Sequence, residues 1–246
     1  MFRSASRSCS SLPRAGYMLA FLVLAGRAAL AAQPVVRLAS TDWPPYSGAS
    51  LPGQGETVAL VRHVLARAGY DLRVEFLPWQ KAQWAGMKEA GFVGYFPAYR
   101  ARSRAGTCLF SGELGSSQVG LAIRKDHPVH WSSAESLSRL TLGVVAGYAN
   151  TEALDKRIVT HRQTVRSAVS DYANLNALLA GQVDAAIIDR NVMAYLLNNT
   201  PPLRAERSRV DFGEKILENK TLHVCFRRDD AGRDIREAFD ASLAYF

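Results

Sequence analysis

From Pro34 onward the chain alternates short apolar runs with amphipathic stretches, and that alternation restricts the folds open to it. Val35-Val36-Arg37-Leu38-Ala39 reads as a strand running toward the Pro44-Pro45 turn, and residues 56–68 place Val58, Val61, Leu65 and Ala68 on one helical face before Gly69. Residues 72–77 alternate as a strand, 81–90 read as a short helix ended by Gly91, and 92–96 return as a strand. Strand, helix, strand, helix, strand is the order of a parallel sheet covered by helices.

The theme returns after a break. Residues 119–124 read as a strand, 127–138 as a polar, Ser-rich connection, and 140–145 as a strand. A helix from Thr151, a strand near Ile158, a helix over 171–180, a strand over 183–188 and a helix over 190–197 follow. Past Pro201-Pro202 come short strands at 210–212 and 222–226 and a last helix over 231–246. The length suits two α/β units of roughly 100 residues each better than one large domain.

The N-terminus has the order of a secretory signal peptide: arginines at Arg3, Arg7 and Arg14, an apolar run over 17–26, then Ala29-Leu30-Ala31 as a small-x-small cleavage site. The apolar run is about half of the roughly 20 residues that a spanning helix needs. Residues 1–31 are therefore expected to be removed, leaving a mature chain in the periplasm. Cys9 precedes the apolar run, so it does not fit a lipid-bearing cysteine. Losing four arginines and no acids lowers the formal charge from +8 to +4. The remaining basic residues are dispersed, apart from Arg100/Arg102/Arg104 and Arg204/Arg207/Arg209, with no stacking aromatics between them, which argues against nucleic acid as a partner.

Cys108 and Cys225 remain in the mature chain. An oxidising compartment allows them to pair, and two buried thiols in separate strands fit the sequence equally well. The five histidines are scattered and no cysteine spacing suits a metal, so neither metal nor cofactor is expected.

Several motifs share one order: Asp42-Trp43-Pro44-Pro45-Tyr46 after a strand, Phe76-Leu77-Pro78-Trp79, Arg104 ahead of Phe110-Ser111, Leu142-Gly143-Val144-Val145-Ala146-Gly147, and residues 181–189 ending in Ile187-Ile188-Asp189. This order resembles the family 3 extracellular solute-binding proteins, the periplasmic receptors of polar amino-acid ABC transporters. The resemblance implies an α/β fold of two lobes with two hinge crossovers and an interlobe ligand cleft. Lobe one would be 32–114 plus 215–246, lobe two 120–211, and the hinges near 115–119 and 212–214.

The same resemblance implies site residues. Arg104 stands where the family clamps the ligand's carboxylate, with Arg100 and Arg102 as alternative registers, and a guanidinium fork suits that task. Asp189 stands where the family meets the ligand's ammonium, although an aspartate capping the helix from Arg190 would look the same. Trp43, Tyr46 and Trp79 resemble the aromatic walls around the ligand side chain. Asp42 beside Trp43, Tyr99 before the clamp and Tyr148-Ala149 in the lobe-two turn complete the expected ligand-binding set.

Three positions depart from the family pattern. Tyr99 replaces a small hydroxyl residue, Tyr148-Ala149 replaces the hydroxyl residue of the turn, and Gly112-Glu113-Leu114 follows Phe110-Ser111. The expected function is capture of a small polar solute, an amino acid or a related compound, by a monomeric receptor that delivers it to an ABC permease. A sensory module is a second reading. A cyclohexadienyl dehydratase-like enzyme is a third, and it would need a cleft carboxylate such as Glu113 or Glu152.

Overall fold

A computed structural model describes residues 1–2 and 33–246, so the expected signal peptide, with Cys9 and its arginines, falls almost wholly outside the described residues. The first lobe starts with β1 (Val35–Ser40), α1 (Glu56–Arg67), β2 (Asp71–Phe76), α2 (Trp79–Lys88), β3 (Phe92–Tyr99) and the short β4 (Leu109–Phe110). α1 forms because Thr57, Val58, Val61, Val64 and Leu65 make one buried face, with Glu56 in its first turn and Arg67 in its last, each favourable to the helix dipole. β1 lies between β2 and β3, parallel to both.

After β5 (Gly115–Arg124) the chain builds the second lobe: β6 (Leu142–Val145), α3 (Glu152–Val159), β7 (Val165–Ala168), α4 (Asp171–Leu179), β8 (Ala185–Asp189), α5 (Arg190–Asn199) and the short α6 (Pro201–Ala205). β6 pairs in parallel with β7 and β8, and every residue of β8 is buried, as befits a strand covered on both faces. β9 (Val210–Phe226) then leads to α7 (Asp230–Leu243), whose Phe239 ring meets Phe226 at 5.7 Å. Helix α7 thus packs on lobe one.

The strand order is β2-β1-β3-β9-β5-β8-β6-β7, with β4 beside β9. β9 is one strand of 17 residues, where the sequence suggested two short ones. Residues 213–221 are largely polar because they lie in a two-stranded ribbon between the lobes rather than in a core, so no apolar alternation marks them. The ribbon pairs β5 with β9 antiparallel from Gly115 beside Leu222 to Arg124 beside Val210. β3 joins its lobe-one end through Tyr99 and Leu222, and β8 joins its lobe-two end through Val119 and Asp189. Residues 115–119 lie opposite 218–222, whereas Phe212 pairs farther along, beside Ala122.

Other boundaries move for local reasons. Ile158 is helical, because Leu154 and Ile158 share one face of α3 and Thr151 caps Leu154 N–H; the strand expected there is β7 instead. The pair Pro201-Pro202 opens α6, where missing N–H groups cost nothing. Cys108 and Cys225 are joined, with Cα atoms 5.0 Å apart, tying the turn before β4 to the end of β9. Among the described residues no helix is long and apolar enough to cross a membrane.

Candidate functional site

The two lobes bring aromatic side chains together over the ribbon. The loop after β1 supplies Trp43 and Tyr46, stacked at 4.6 Å; α2 opens on Trp79; β3 ends on Tyr99. Lobe two supplies Tyr148 from the turn after β6, and this ring stands edge-on to Trp43 at 6.5 Å and to Trp79 at 5.9 Å. Trp43, Tyr46, Trp79, Tyr99 and Ala149 are buried and Tyr148 is half-buried.

Two spaces lie among these rings. One, of about 300 Å³, is lined by Thr41, Trp43, Trp79, Pro97, Tyr99 and Leu222 of lobe one with Tyr148 of lobe two. The other, of about 290 Å³, reaches Asn150, Asp171 and Asp189. Each leaves clear room for about one water molecule between the side chains, so a solute has to part the rings to enter. Trp43, Tyr99 and Tyr148 line both.

Asp189 ends β8 and caps α5: its Oδ1 accepts Val192 N–H at 2.8 Å. Its Oδ2 accepts from Ser117 Oγ at 2.5 Å and from Tyr46 Oη at 3.2 Å. Ser117 has one proton and gives it to Asp189, so Tyr99 Oη donates to Ser117 Oγ at 2.7 Å. Asn191 Nδ2 donates to Tyr46 Oη at 3.0 Å. This network links lobe one, the ribbon and lobe two. Burial raises the Asp189 carboxyl pKa against the lowering effect of those donors, and burial together with the Asp189 charge pushes the Tyr46 and Tyr99 hydroxyls up.

Arg104 ends a short 3-10 turn over Arg102–Arg104 and is 7% exposed, whereas Arg102 pairs on the surface with Glu152 and Arg100 is exposed above the Phe110 ring. Its Nη1 donates to Tyr99 O and its Nη2 to Gly147 O, both at 3.1 Å, and Trp79 Nε1 donates to the same Gly147 O at 2.9 Å. The lobe-two turn is therefore held against lobe one by two donors on one carbonyl. Gly147 suits this place: its φ is +79°, and a Cβ there would meet Gln83, Gln80 and Trp79 at 3.0–3.3 Å. No carboxylate pairs with Arg104 among the described residues, and burial lowers its pKa. Arg104 lines neither of the two spaces.

Asp171, at the first position of α4, was absent from the expected site. Ser170-Asp171 before an apolar run reads as an ordinary helix start, and Ser170 does cap Ala173 N–H. Tertiary packing buries Asp171 to 4% exposure against Trp43 and Tyr148. Tyr148 Oη donates to its Oδ2 at 3.0 Å, while Asp171 Oδ1 and Trp43 Nε1 are buried without a hydrogen bond. A buried acceptor left without a donor costs about 1–3 kcal/mol. Asp42 stays at the exposed edge, its Oδ1 accepting Ala49 N–H.

The Asp171 carboxyl is pushed up to about 7, chiefly by burial and further by the Asp189 charge, with the Tyr148 hydroxyl opposing as a donor. A folded pKa above the unfolded value of 3.8 means that the folded state keeps a proton that the unfolded chain has lost. This group's contribution is complete below about pH 4 and disappears as pH rises through about 7. Asp171→Asn is expected to raise the unfolding free energy at pH 8 by on the order of 3 kcal/mol. Urea unfolding at pH 4 and pH 8 checks it: the difference between the two pH values should shrink in the variant, and an unchanged difference would contradict the assignment.

No family model matches this chain, and no curated protein matches it. Solved structures do. A histidine kinase sensor domain with similarity to periplasmic binding proteins aligns over 87% of this chain and 90% of its own, with TM-score 0.74 and 16% identity. The chain has the periplasmic binding protein fold. A mutant of arginine-bound ArgBP from T. maritima aligns over 86% of this chain and 95% of its own, with TM-score 0.70 and 15% identity. An ancestral amino-acid-binding protein, described as a precursor of cyclohexadienyl dehydratase, aligns over 86% and 88%, with TM-score 0.66 and 16% identity. The aromatic cleft lies in the space between the two lobes. Of the carboxylates named for the enzyme reading, Glu113 is exposed and Glu152 is at the surface with Arg102, whereas the carboxylates in the cleft are Asp171 and Asp189.

Proposed function

We propose that this protein is a periplasmic receptor that captures a small polar solute, an amino acid or a related amine-bearing compound, by closing two lobes over it, and that it delivers the solute to an ABC permease as a monomer. The cleft carries this reading: aromatic side chains from both lobes enclose small spaces directly over the ribbon that joins them. Closure draws Gly147 onto Arg104 and Trp79, so a solute that favours the closed form shifts the population toward it. Solved structures of the same fold include an arginine-bound protein, which supports a solute of this class. The sensor domain supports a second reading, in which the same capture event feeds a signalling partner.

A thermal-shift screen of amino acids, polyamines and carboxylates tests the receptor. A binding solute at 100 times its Kd stabilises the protein by about 2.7 kcal/mol, with a midpoint that keeps rising with concentration. Absence of a concentration-dependent shift for every solute would contradict the proposal. Arg104→Ala is expected to weaken the solute found by about tenfold or more, because its charged bond to Gly147 O, which holds the lobes together, contributes about 1.5–3 kcal/mol. A change within about twofold would remove Arg104 from both closure and recognition.

A further inference from the structure

Resting on that receptor reading, we infer that the cleft selects a cation and that Asp171, rather than Asp189, receives the ammonium or other cationic group of the solute. Asp189 already accepts three hydrogen bonds, from Val192, Ser117 and Tyr46, whereas Asp171 accepts one from a side chain, Tyr148. Asp171 presents a buried oxygen with no donor, next to an indole N–H that also lacks a partner. A cationic group placed there gains a charge-assisted hydrogen bond and stands beside the rings of Trp43 and Tyr148, whose faces attract cations.

The approach to the site has the same bias. An open groove of about 790 Å³ outside Trp43 is also lined by Asp171, together with Asp42, Tyr172 and Tyr195. Neither this groove nor the two interlobe spaces presents a lysine, arginine or histidine side chain. The cations Arg104 and Lys220 stack on the Trp79 and Tyr99 rings of the inner space, so the negative field of Asp42 and Asp171 is felt mainly in the groove, where it concentrates cations over anions. Asp171 belongs to both the groove and the inner space, so a cation entering along the groove meets the same carboxylate that holds it inside.

Calorimetric titration with putrescine, L-ornithine and L-lysine, set against succinate, glutarate and valerate, provides the test. Binding is expected from at least one amine and from none of the amine-free compounds. For the bound amine, Asp171→Asn is expected to lower affinity at least tenfold, and Asp189→Asn by under about threefold. Tyr148→Phe removes a donor from Asp171 while leaving its charge, so affinity is expected to hold or rise. Equal binding by an amine-free compound would overturn the inference and leave the receptor standing. So would an Asp171→Asn variant, folded by circular dichroism, that binds within twofold of the parent, or a Tyr148→Phe variant as impaired as Asp171→Asn. Failure of all six probes would contradict the receptor reading as well.

Discussion

Replacing Cys108 and Cys225 together by alanine is expected to lower the unfolding free energy by about 4–5 kcal/mol. The bridge spans a sequence separation of 117, and closing a loop of about 100 residues removes about 4.7 kcal/mol of chain entropy from the unfolded state. Both residues are buried, and Cys225 lies in β9 with β3 on one side and β4 on the other, so the bridge reinforces the place where the ribbon enters lobe one. In urea, with a slope of about 2 kcal/mol per molar, the midpoint should fall by about 2 M. Reduction of the wild type should reproduce the shift. A loss below about 1 kcal/mol would show that the bridge contributes little beyond the packing around it.

Asp189→Ala is the second large effect, about 4 kcal/mol of lost stability. The substitution removes a helix cap, for which about 0.5–2 kcal/mol is typical. It also leaves the hydroxyls of Ser117 and Tyr46 buried without their acceptor, at about 1–3 kcal/mol each. Ser170→Ala is the natural comparison, because Ser170 caps α4 without a network behind it, and its loss should be about 1 kcal/mol. Denaturant unfolding of both variants separates the two roles. If Asp189→Ala cost no more than Ser170→Ala, the network joining the lobes would have no energetic weight.

These two residues also show what the sequence made legible. Asp189 was visible as a residue ending a strand and opening a helix, because local pattern alone dictates that position. Its bonds to Tyr46 and Ser117 come from other segments and have no local signature. The parallel strands and covering helices were readable from apolar spacing, as in α1 and β8, where burial follows periodicity. The crossing ribbon was not, since the β9 residues between the lobes are mostly exposed or half-buried and lack the alternation of a half-buried strand. Arg104 could be singled out through the family resemblance, but its bond to Gly147 O depends on where lobe two closes. Asp171 stayed hidden because a carboxylate in a first helical turn is ordinary, and only the approach of Trp43 and Tyr148 makes it buried and singular.

Hydrogen–deuterium exchange of the wild type, with and without a solute that raises its melting point, tests most directly whether that solute is held between the lobes. The account predicts slower exchange on both sides of the cleft at once, in the loop carrying Trp43 and Tyr46 of lobe one and in the turn of Gly147 and Tyr148 and the start of α4 in lobe two. Protection confined to one lobe, or placed away from these segments, would contradict it.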